Sequence, residues 1–207
     1  VFKQCEDLSS VNIVIANNII ETQTFENCRK LQSVNISGNN VHIIGENAFK
    51  DCDSLTFENL ILPDSIQYIN NGAFYSCNKY KNFLLPTSVT DINTNAYAYL
   101  ESQKDYLLIL PTSLINLQAN AFYATKIQNI LISSNTIQEI NAFQNTANDT
   151  SLEYKYYYYD TTDNTYYVGE LNNYKQIVKK TPVQETSVDE IKNSIVSVKE
   201  SNLTNAG

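Results

Sequence analysis

The amino-acid sequence predicts a repeat solenoid, with a parallel β-sheet on one side and irregular or single-turn helical segments on the other. Two observations carry this prediction: aromatic residues recur every 21 to 25 residues, and a short aliphatic run precedes most of them. The recurring aromatics are Phe25, Phe49, Phe74, Tyr97, Phe122 and Phe143. Because one coil of about 24 residues cannot bury its own apolar side, stacked coils must bury it against one another.

Each aliphatic run is predicted to form one strand of the parallel sheet. The six runs are NIVI (12–15), SVNI (33–36), NLIL (59–62), NFLL (82–85), LLIL (107–110) and NILI (129–132). Pro63, Pro86 and Pro111 each close a run, where proline is tolerated because the strand has ended. Between the run and the aromatic, one further aliphatic is predicted to point inward: Ile20, Ile44, Ile69, Ile92, Leu117 and Ile140.

The cysteines follow the same period. Cys5, Cys28, Cys52 and Cys77 are spaced by 23, 24 and 25 residues, and later repeats place Leu100 and Thr125 at this point. A position that accepts Cys, Leu or Thr favours a small buried side chain, so we expect a column of free thiols. A strained disulfide between neighbours is the alternative. Thiols spread along the stack cannot converge on one tetrahedral metal ion.

Three repeats resemble a known family. LPDSIQYINNGAFYSC (62–77), LPTSVTDINTNAYAY (85–99) and LPTSLINLQANAFYA (110–124) are similar to the unit of BspA-like, or Treponema pallidum-type, leucine-rich repeats. The resemblance covers residues 5 to about 145. It implies a right-handed leucine-rich-repeat solenoid at the surface of bacteria or parasitic protists, working in adhesion or binding, with no catalytic residues.

Composition excludes several classes of function. The net charge of −8 argues against nucleic acid or an anionic membrane as a partner, because both require basic patches. No apolar run approaches the length of a membrane span, so no membrane insertion is expected. The chain begins VFKQC and contains no Met, which favours a mature or excised segment.

No catalytic, cofactor-binding or metal-binding residues are predicted, so we expect no enzyme and no cofactor. His42, the single histidine, falls in a return loop, and no nucleophile–base arrangement can be assembled around it. Asp160 and Asp163 fall in a turn, where Asp is expected for backbone reasons, and no calcium-ligand pattern surrounds them.

Composition changes after Asn145, which predicts two units: a solenoid over 1–145 and a C-terminal unit over 146–207. Residues 154–174 hold eight of the 15 tyrosines, and two Tyr-rich runs around DTTDN (160–164) predict a β-hairpin. Alternation places Tyr156 and Tyr158 on one face. The hairpin either caps the last coil or forms a recognition surface.

The segment TSVDEIKNSIV (186–196) has two interpretations. It aligns with TSVTDINTNAY (87–97) at Ser, Val and Ile, which favours a degenerate seventh rung. It also begins with the capping box SVDE and repeats aliphatics at helical spacing as far as Val198, which favours a short helix.

The outer face of the strands is the predicted interaction surface. Its third positions are aliphatic in five of six strands: Val14, Ile61, Leu84, Ile109 and Leu131, with Asn35 the exception. An exposed apolar stripe is typical of a partner surface, although intramolecular cover or simple β-propensity would produce the same pattern. With Tyr156 and Tyr158, these residues form the candidate partner-binding set. Asn35, Asn148 and Asn202 begin N-x-S/T sequons and are weak candidates for glycosylation.

Two functions fit these features. The first is a non-enzymatic cell-surface or secreted module that binds a protein or glycan, possibly a second copy of itself, through the sheet face. The alternative is a structural subunit that assembles into a fibre or oligomer through the apolar stripe.

Overall fold

A computed structural model of the chain describes residues 1–38, 40–56, 59–79, 85–100, 107–125, 127, 129–144 and 155–182. These residues form the predicted solenoid. Its strands are β1 (Ser10–Val14), β2 (Ile19–Ile20), β3 (Ser33–Ser37), β4 (Ile43–Ile44), β5 (Leu60–Ile61), β6 (Tyr68–Ile69), β7 (Asp91–Ile92), β8 (Leu107–Ile109), β9 (Asn116–Leu117), β10 (Asn129–Ser133), β11 (Ile137–Gln138), β12 (Lys155–Asp160), β13 (Thr165–Leu171) and β14 (Ile177–Pro182).

The aliphatic runs form two parallel sheet segments along one side of the solenoid. The first contains β1, β3 and β5, and the second begins with β8, β10 and β12. Residues 82–84 of the predicted fourth strand lie outside the described residues. A separate sheet of six two-residue strands, from β2 to β11, runs along the return path. The sequence did not reveal this sheet, because strands of two residues carry no alternation.

The pairing of β1 differs from the predicted alignment by two residues. Asn12 lies opposite Asn35 and Val14 opposite Ser37, so the two SVNI segments pair with each other. The predicted alignment had placed Val14 beside Asn35. Because side chains alternate with a period of two, this shift leaves the predicted faces of β1 unchanged.

The return-path sheet directs one aliphatic per coil into the core. Ile20, Ile44, Ile69, Ile92 and Leu117 are fully buried, as predicted. The sixth member was predicted wrongly, since Gln138 pairs with Leu117 and Ile140 is 54% exposed. The last repeat is shorter than the others, and its inward position therefore falls two residues before Ile140.

A continuous stack of aromatic rings runs through the core. The six predicted rings are joined by Phe2, and neighbouring centroids lie 5.1 to 5.6 Å apart with interplanar angles of 1 to 16°. From Phe2 to Phe122, the backbone N–H of each aromatic residue donates to the carbonyl of the residue before the next aromatic, as from Phe74 to Ala96 at 2.8 Å. The residue at this carbonyl is buried, and in five of the coils it is alanine.

Left-handed backbone explains why the return segments form turns and no α-helix among the described residues. Two positions in a typical coil have positive φ, as at Asn95 (56°) and Tyr99 (60°) on either side of Tyr97. A right-handed helix cannot continue through a left-handed residue. Asn tolerates this conformation better than most residues, and Asn fills several of these positions.

The cysteine column consists of free thiols, as predicted. Each buried thiol donates a hydrogen bond to the backbone carbonyl of the aromatic residue in the preceding coil. The bonds run from Cys28 to Phe2 at 2.9 Å, from Cys52 to Phe25 at 3.2 Å and from Cys77 to Phe49 at 3.0 Å. Burial raises the pKa of the Cys52 and Cys77 thiols well above its usual range. These cysteines therefore stay protonated and act as packing residues.

The predicted Tyr-rich hairpin is present as β12 and β13, and β14 extends it to a three-stranded antiparallel unit. β12 pairs in parallel with β10, so the sheet continues from the last coil into the hairpin. The division at residue 145 stays a prediction. The segment predicted as a seventh rung or a helix, 186–198, lies outside the described residues.

Candidate functional site: the outer face of the strand sheet

The outer face is exposed along β1, β3 and β5. Val14 is 77% exposed and Ile61 is 58% exposed. Asn12 and Asn35 are also exposed on this face, in the same row as Ile61. We call these four residues the N-terminal patch. It combines aliphatic surface with side-chain amides that can both donate and accept hydrogen bonds.

The same face is covered further along the solenoid. Leu107 and Leu131 are only 8% and 5% exposed, and Ile109 is half-buried beside them. Three tyrosines of the hairpin, Tyr157, Tyr159 and Tyr166, pack against these aliphatics and form a small cluster separate from the main core. The prediction that Leu131 is exposed was therefore wrong, because the hairpin extends the sheet beside it.

Tyr156 and Tyr158 face the core, which removes Tyr156 from the predicted partner surface. Tyr156 is buried in the main core, and Tyr158 is half-buried against it. Burial raises the pKa of the Tyr158 phenol. Alternation had correctly separated these residues from Tyr157 and Tyr159, but alternation alone does not say which face points inward. The pairing of Lys155 with Asn129 determines that.

The tip of the hairpin is a compact charged cluster. The Lys179 ammonium lies 2.6 Å from Asp160 Oδ2, 3.6 Å from Asp163 Oδ2 and 3.8 Å from the centre of the Tyr167 ring. The hydrogen bond from Lys179, with two more from Thr162, lowers the pKa of Asp160 to about 2. The carboxylates are therefore engaged by local donors, in agreement with their predicted role in the turn.

The single histidine lies on the return path, apart from any described group of metal-ligating side chains. His42 Nδ1 lies 2.9 Å from the Ser65 carbonyl oxygen, in a loop of the return path. Within the described ranges, no group of three or more His, Cys, Asp or Glu side chains could hold a metal ion.

Of the sequon residues, the structure describes Asn35 alone, and its side chain is exposed on β3. Leu84 of the predicted stripe, together with Asn148 and Asn202, lies outside the described residues.

The comparison with protein families decides the classification. The model of the BspA type leucine rich repeat region matches residues 1–106 and 107–186, with six copies. The chain belongs to this family. The resemblance seen in residues 62–77 is thus confirmed over most of the sequence. No curated protein matches this BspA-type chain.

Solved structures show that the BspA-type chain shares its fold with bacterial proteins. A leucine rich cell surface protein from Faecalibacterium prausnitzii is similar with a TM-score of 0.57 and 23% identity, over 84% of this chain and 46% of that one. The T. pallidum leucine rich repeat protein gives a TM-score of 0.50 and 21% identity, over 60% of this chain and 59% of that one. The BspA-type chain thus spans about half of each of these proteins. Within its described residues, no helix has the length and apolar character needed to cross a membrane.

Proposed function

We propose that this BspA-type chain is a non-enzymatic cell-surface or secreted module that binds a protein or glycan through the N-terminal patch. The observation that carries the proposal is the exposure of Val14 and Ile61 on one sheet face, at 77% and 58%. Farther along the same face the aliphatics are covered by tyrosines of the hairpin. Covering this exposed aliphatic surface with a partner favours binding by about 25 cal/mol per Å² of apolar surface removed from water.

The amides of the N-terminal patch fit the proposed partners. Asn12 and Asn35 lie in adjacent strands and can each donate and accept hydrogen bonds. Peptide groups and sugar hydroxyls offer the complementary donors and acceptors. The net charge of −8 favours such partners over polyanions. A surface location is supported by the similarity to the F. prausnitzii cell surface protein.

The test measures binding of the labelled chain to a panel of purified extracellular-matrix proteins and polysaccharides. We expect saturable binding to at least one of them, weakened at least tenfold by Ile61→Lys. The matched control is Ile137→Lys, because Ile137 is 66% exposed on the other sheet. The proposal fails if nothing on the panel binds, or if both variants weaken binding equally.

The second candidate is a structural subunit that assembles through the same stripe. The observation that favours it is that Val14 and Ile61 project from the first and third strands of a regular parallel sheet, the kind of surface that two copies could bury between them. This candidate predicts a solution mass that rises beyond a dimer with concentration and falls in Ile61→Lys. A glycan on Asn35 in the native protein would contradict it, because the glycan would prevent close packing on that rung.

A further inference from the structure

Three tyrosines form a ladder in the turns that follow the core aromatics of three successive coils. Tyr99 lies between Tyr75 and Tyr123, with ring centroids 5.1 and 5.3 Å away and interplanar angles of 61 and 67°. Tyr99 is 42% exposed, and the other two side chains are half-buried. We call these three residues the tyrosine ladder. Backbone hydrogen bonds join its coils to described coils on both sides, so it lies within the stack.

Tyr99 enters the ladder from a different position of the repeat than its neighbours. Tyr75 and Tyr123 each directly follow the core aromatic of their coil, whereas the coil between them has Ala98 at this point. Ala98 is fully buried, and the ring of Tyr99, one residue later, lies between the two other rings. The row of exposed aromatics therefore continues across a coil whose repeat position is filled by a small residue.

The backbone at Tyr99 is left-handed, with a φ of 60°. The preceding coils have small polar residues at this position, with similar φ values: Asn27, Asp51 and Ser76. A bulky side chain at positive φ is an outlier, and such strain concentrates at functional sites. An exposed aromatic ring held in this conformation therefore indicates a role in binding rather than in packing.

The tyrosine ladder is uncharged and offers hydroxyl donors. The two positions after the core aromatic carry no charge in these three coils: Tyr75, Ser76, Ala98, Tyr99, Tyr123 and Ala124. Lys50 of the preceding coil bounds the ladder, with its ammonium 5.4 Å from the centre of the Tyr75 ring. Partial desolvation raises the pKa of the Tyr99 phenol, which therefore stays protonated and can donate a hydrogen bond. A neutral partner rich in acceptors fits this surface.

The spacing of the ladder matches a polyproline II helix. Coils stack about 4.8 Å apart, which places Tyr75 and Tyr123 about 9.6 Å apart along the solenoid. Prolines three residues apart in a polyproline II helix lie on one side of it, about 9.3 Å apart. Such a helix has carbonyls without internal hydrogen bonds, is preformed before binding, and docks against aromatic side chains.

The orientation of the rings distinguishes this partner from a linear glycan. A glycan packs its successive sugar rings flat against aromatic faces that share one plane. Neighbouring rings of the tyrosine ladder are instead inclined by 61 and 67°, so their faces form no common platform. Inclined rings leave notches between them that suit the compact pyrrolidine ring of proline.

We propose that the tyrosine ladder binds a proline-rich segment of a partner protein in the polyproline II conformation. Two prolines three residues apart pack against Tyr75 and Tyr123, and the Tyr99 hydroxyl donates to a carbonyl between them. The segment runs along the solenoid axis. This surface is separate from the N-terminal patch, which lies on the strand sheet.

The test is fluorescence anisotropy of labelled decaproline titrated with the whole chain, because oligoproline adopts the polyproline II conformation in water. We expect saturable binding that Tyr99→Asn weakens at least tenfold, since tyrosines are frequent binding hot spots. Asn tolerates the left-handed backbone, as at Asn27, so the variant should keep the circular-dichroism spectrum of the unmodified chain. Tyr75→Lys should weaken binding equally, and Lys50 already occupies the equivalent position in the preceding coil.

The matched control is Tyr68→Asn, which makes the same substitution outside the ladder. Tyr68 is also 42% exposed, and its row in the return-path sheet already contains Asn116. This variant should bind decaproline like the unmodified chain. A labelled Gly-Ser peptide of the same length, which is flexible, should bind at least tenfold more weakly than decaproline.

Four outcomes overturn the proposal. They are no binding of decaproline, equal binding of the Gly-Ser peptide, equal losses in Tyr99→Asn and Tyr68→Asn, and binding of cellohexaose in place of decaproline. The last outcome would assign the ladder to a glycan. Ile61→Lys leaves the tyrosine ladder unchanged and Tyr99→Asn leaves the N-terminal patch unchanged, so the failure of one proposal is distinguishable from the failure of the other.

Discussion

The first and last coils of the described solenoid are built from the same repeat but differ in what packs against them. At the C-terminal end, the N–H groups of Asn141 and Phe143 donate to the carbonyls of Tyr174 and Lys175, at 2.8 and 3.4 Å, in the turn between β13 and β14. At the N-terminal end, Phe2 stacks on Phe25 and is only half-buried.

Each coil supplies backbone carbonyls that accept hydrogen bonds from the coil before it. In the middle of the stack, the Phe122 N–H donates to the Ala142 carbonyl of the next coil. The Lys175 carbonyl takes the corresponding role for Phe143. The turn between β13 and β14 therefore presents to this coil backbone acceptors like those that one coil presents to another, as expected of a cap.

The largest expected effect tests this comparison in the aromatic stack. Phe74→Ala and Phe143→Ala each remove a fully buried ring and should lower the free energy of unfolding by about 3 to 5 kcal/mol. Phe2→Ala removes a half-buried ring with one stacked neighbour and should cost about 1 to 2 kcal/mol. Urea denaturation of the three variants measures these losses.

The order of the losses decides whether the cap acts as a full coil. If Phe143→Ala costs as little as Phe2→Ala, the hairpin does not hold the last ring as the next coil would. If Phe74→Ala leaves the denaturation midpoint unchanged, the inward position of the aromatics is wrong.

An intermediate effect is expected at the junction of the cap with the return-path sheet. Gln138 occupies the inward column and exchanges two hydrogen bonds with the backbone of Ile177, both at 2.8 Å. Gln138→Ile restores the aliphatic of the column but leaves the Ile177 N–H without its acceptor, which should cost about 1 to 3 kcal/mol.

The neighbouring residue supplies the control for this variant. Ile137→Gln changes an exposed side chain on the same strand and should alter the free energy of unfolding by about 0.5 kcal/mol or less. If Gln138→Ile melts at a higher temperature than the unmodified chain, apolar packing at this position stabilises the fold more than the two hydrogen bonds to Ile177 do.

The two ends also differ in how far the sequence predicts them. The period of the aromatics and the Cys column is visible in the sequence because each coil buries the same positions. Phe2 carries the same spacing to Cys5 as Phe25 does to Cys28, but no aliphatic run precedes it to mark a repeat. Its place in the stack could therefore be recognised only after the period was extended backwards.

The sequence predicts that residues 154–174 form a hairpin, but it does not predict which face of the hairpin points towards the core. The inward face of β12 depends on its pairing with β10, which composition does not encode. Tyr156 was consequently assigned to the partner surface although it is buried in the core. Cover of the stripe by the chain itself was one of three explanations that the sequence left open, and the structure shows it at Leu107 and Leu131, which Tyr157, Tyr159 and Tyr166 cover. The candidate site therefore contracts to the N-terminal patch.

The smallest expected effect compares the ion pairs at the two ends under acid. Lys179 and Thr162 lower the pKa of Asp160 to about 2 from an ordinary value of 3.8, so the pair stabilises the folded state fully above pH 4. This stabilisation is lost as the pH falls from 4 towards 2, because in this range the unfolded chain binds the proton and the folded chain does not. At the N-terminal end, Lys30 also lowers the pKa of Asp7, but the Asp7 side chain is 94% exposed and its pairing is screened by solvent and salt.

Thermal melting between pH 7 and pH 2 distinguishes the two pairs. Asp160→Asn should melt below the unmodified chain at pH 7, and this difference should close as the pH approaches 2. Asp7→Asn should show a smaller difference at pH 7 that disappears on adding salt. A gap for Asp160→Asn that persists at pH 2 would mean that packing at the hairpin tip, rather than the charge of Asp160, stabilises the cap.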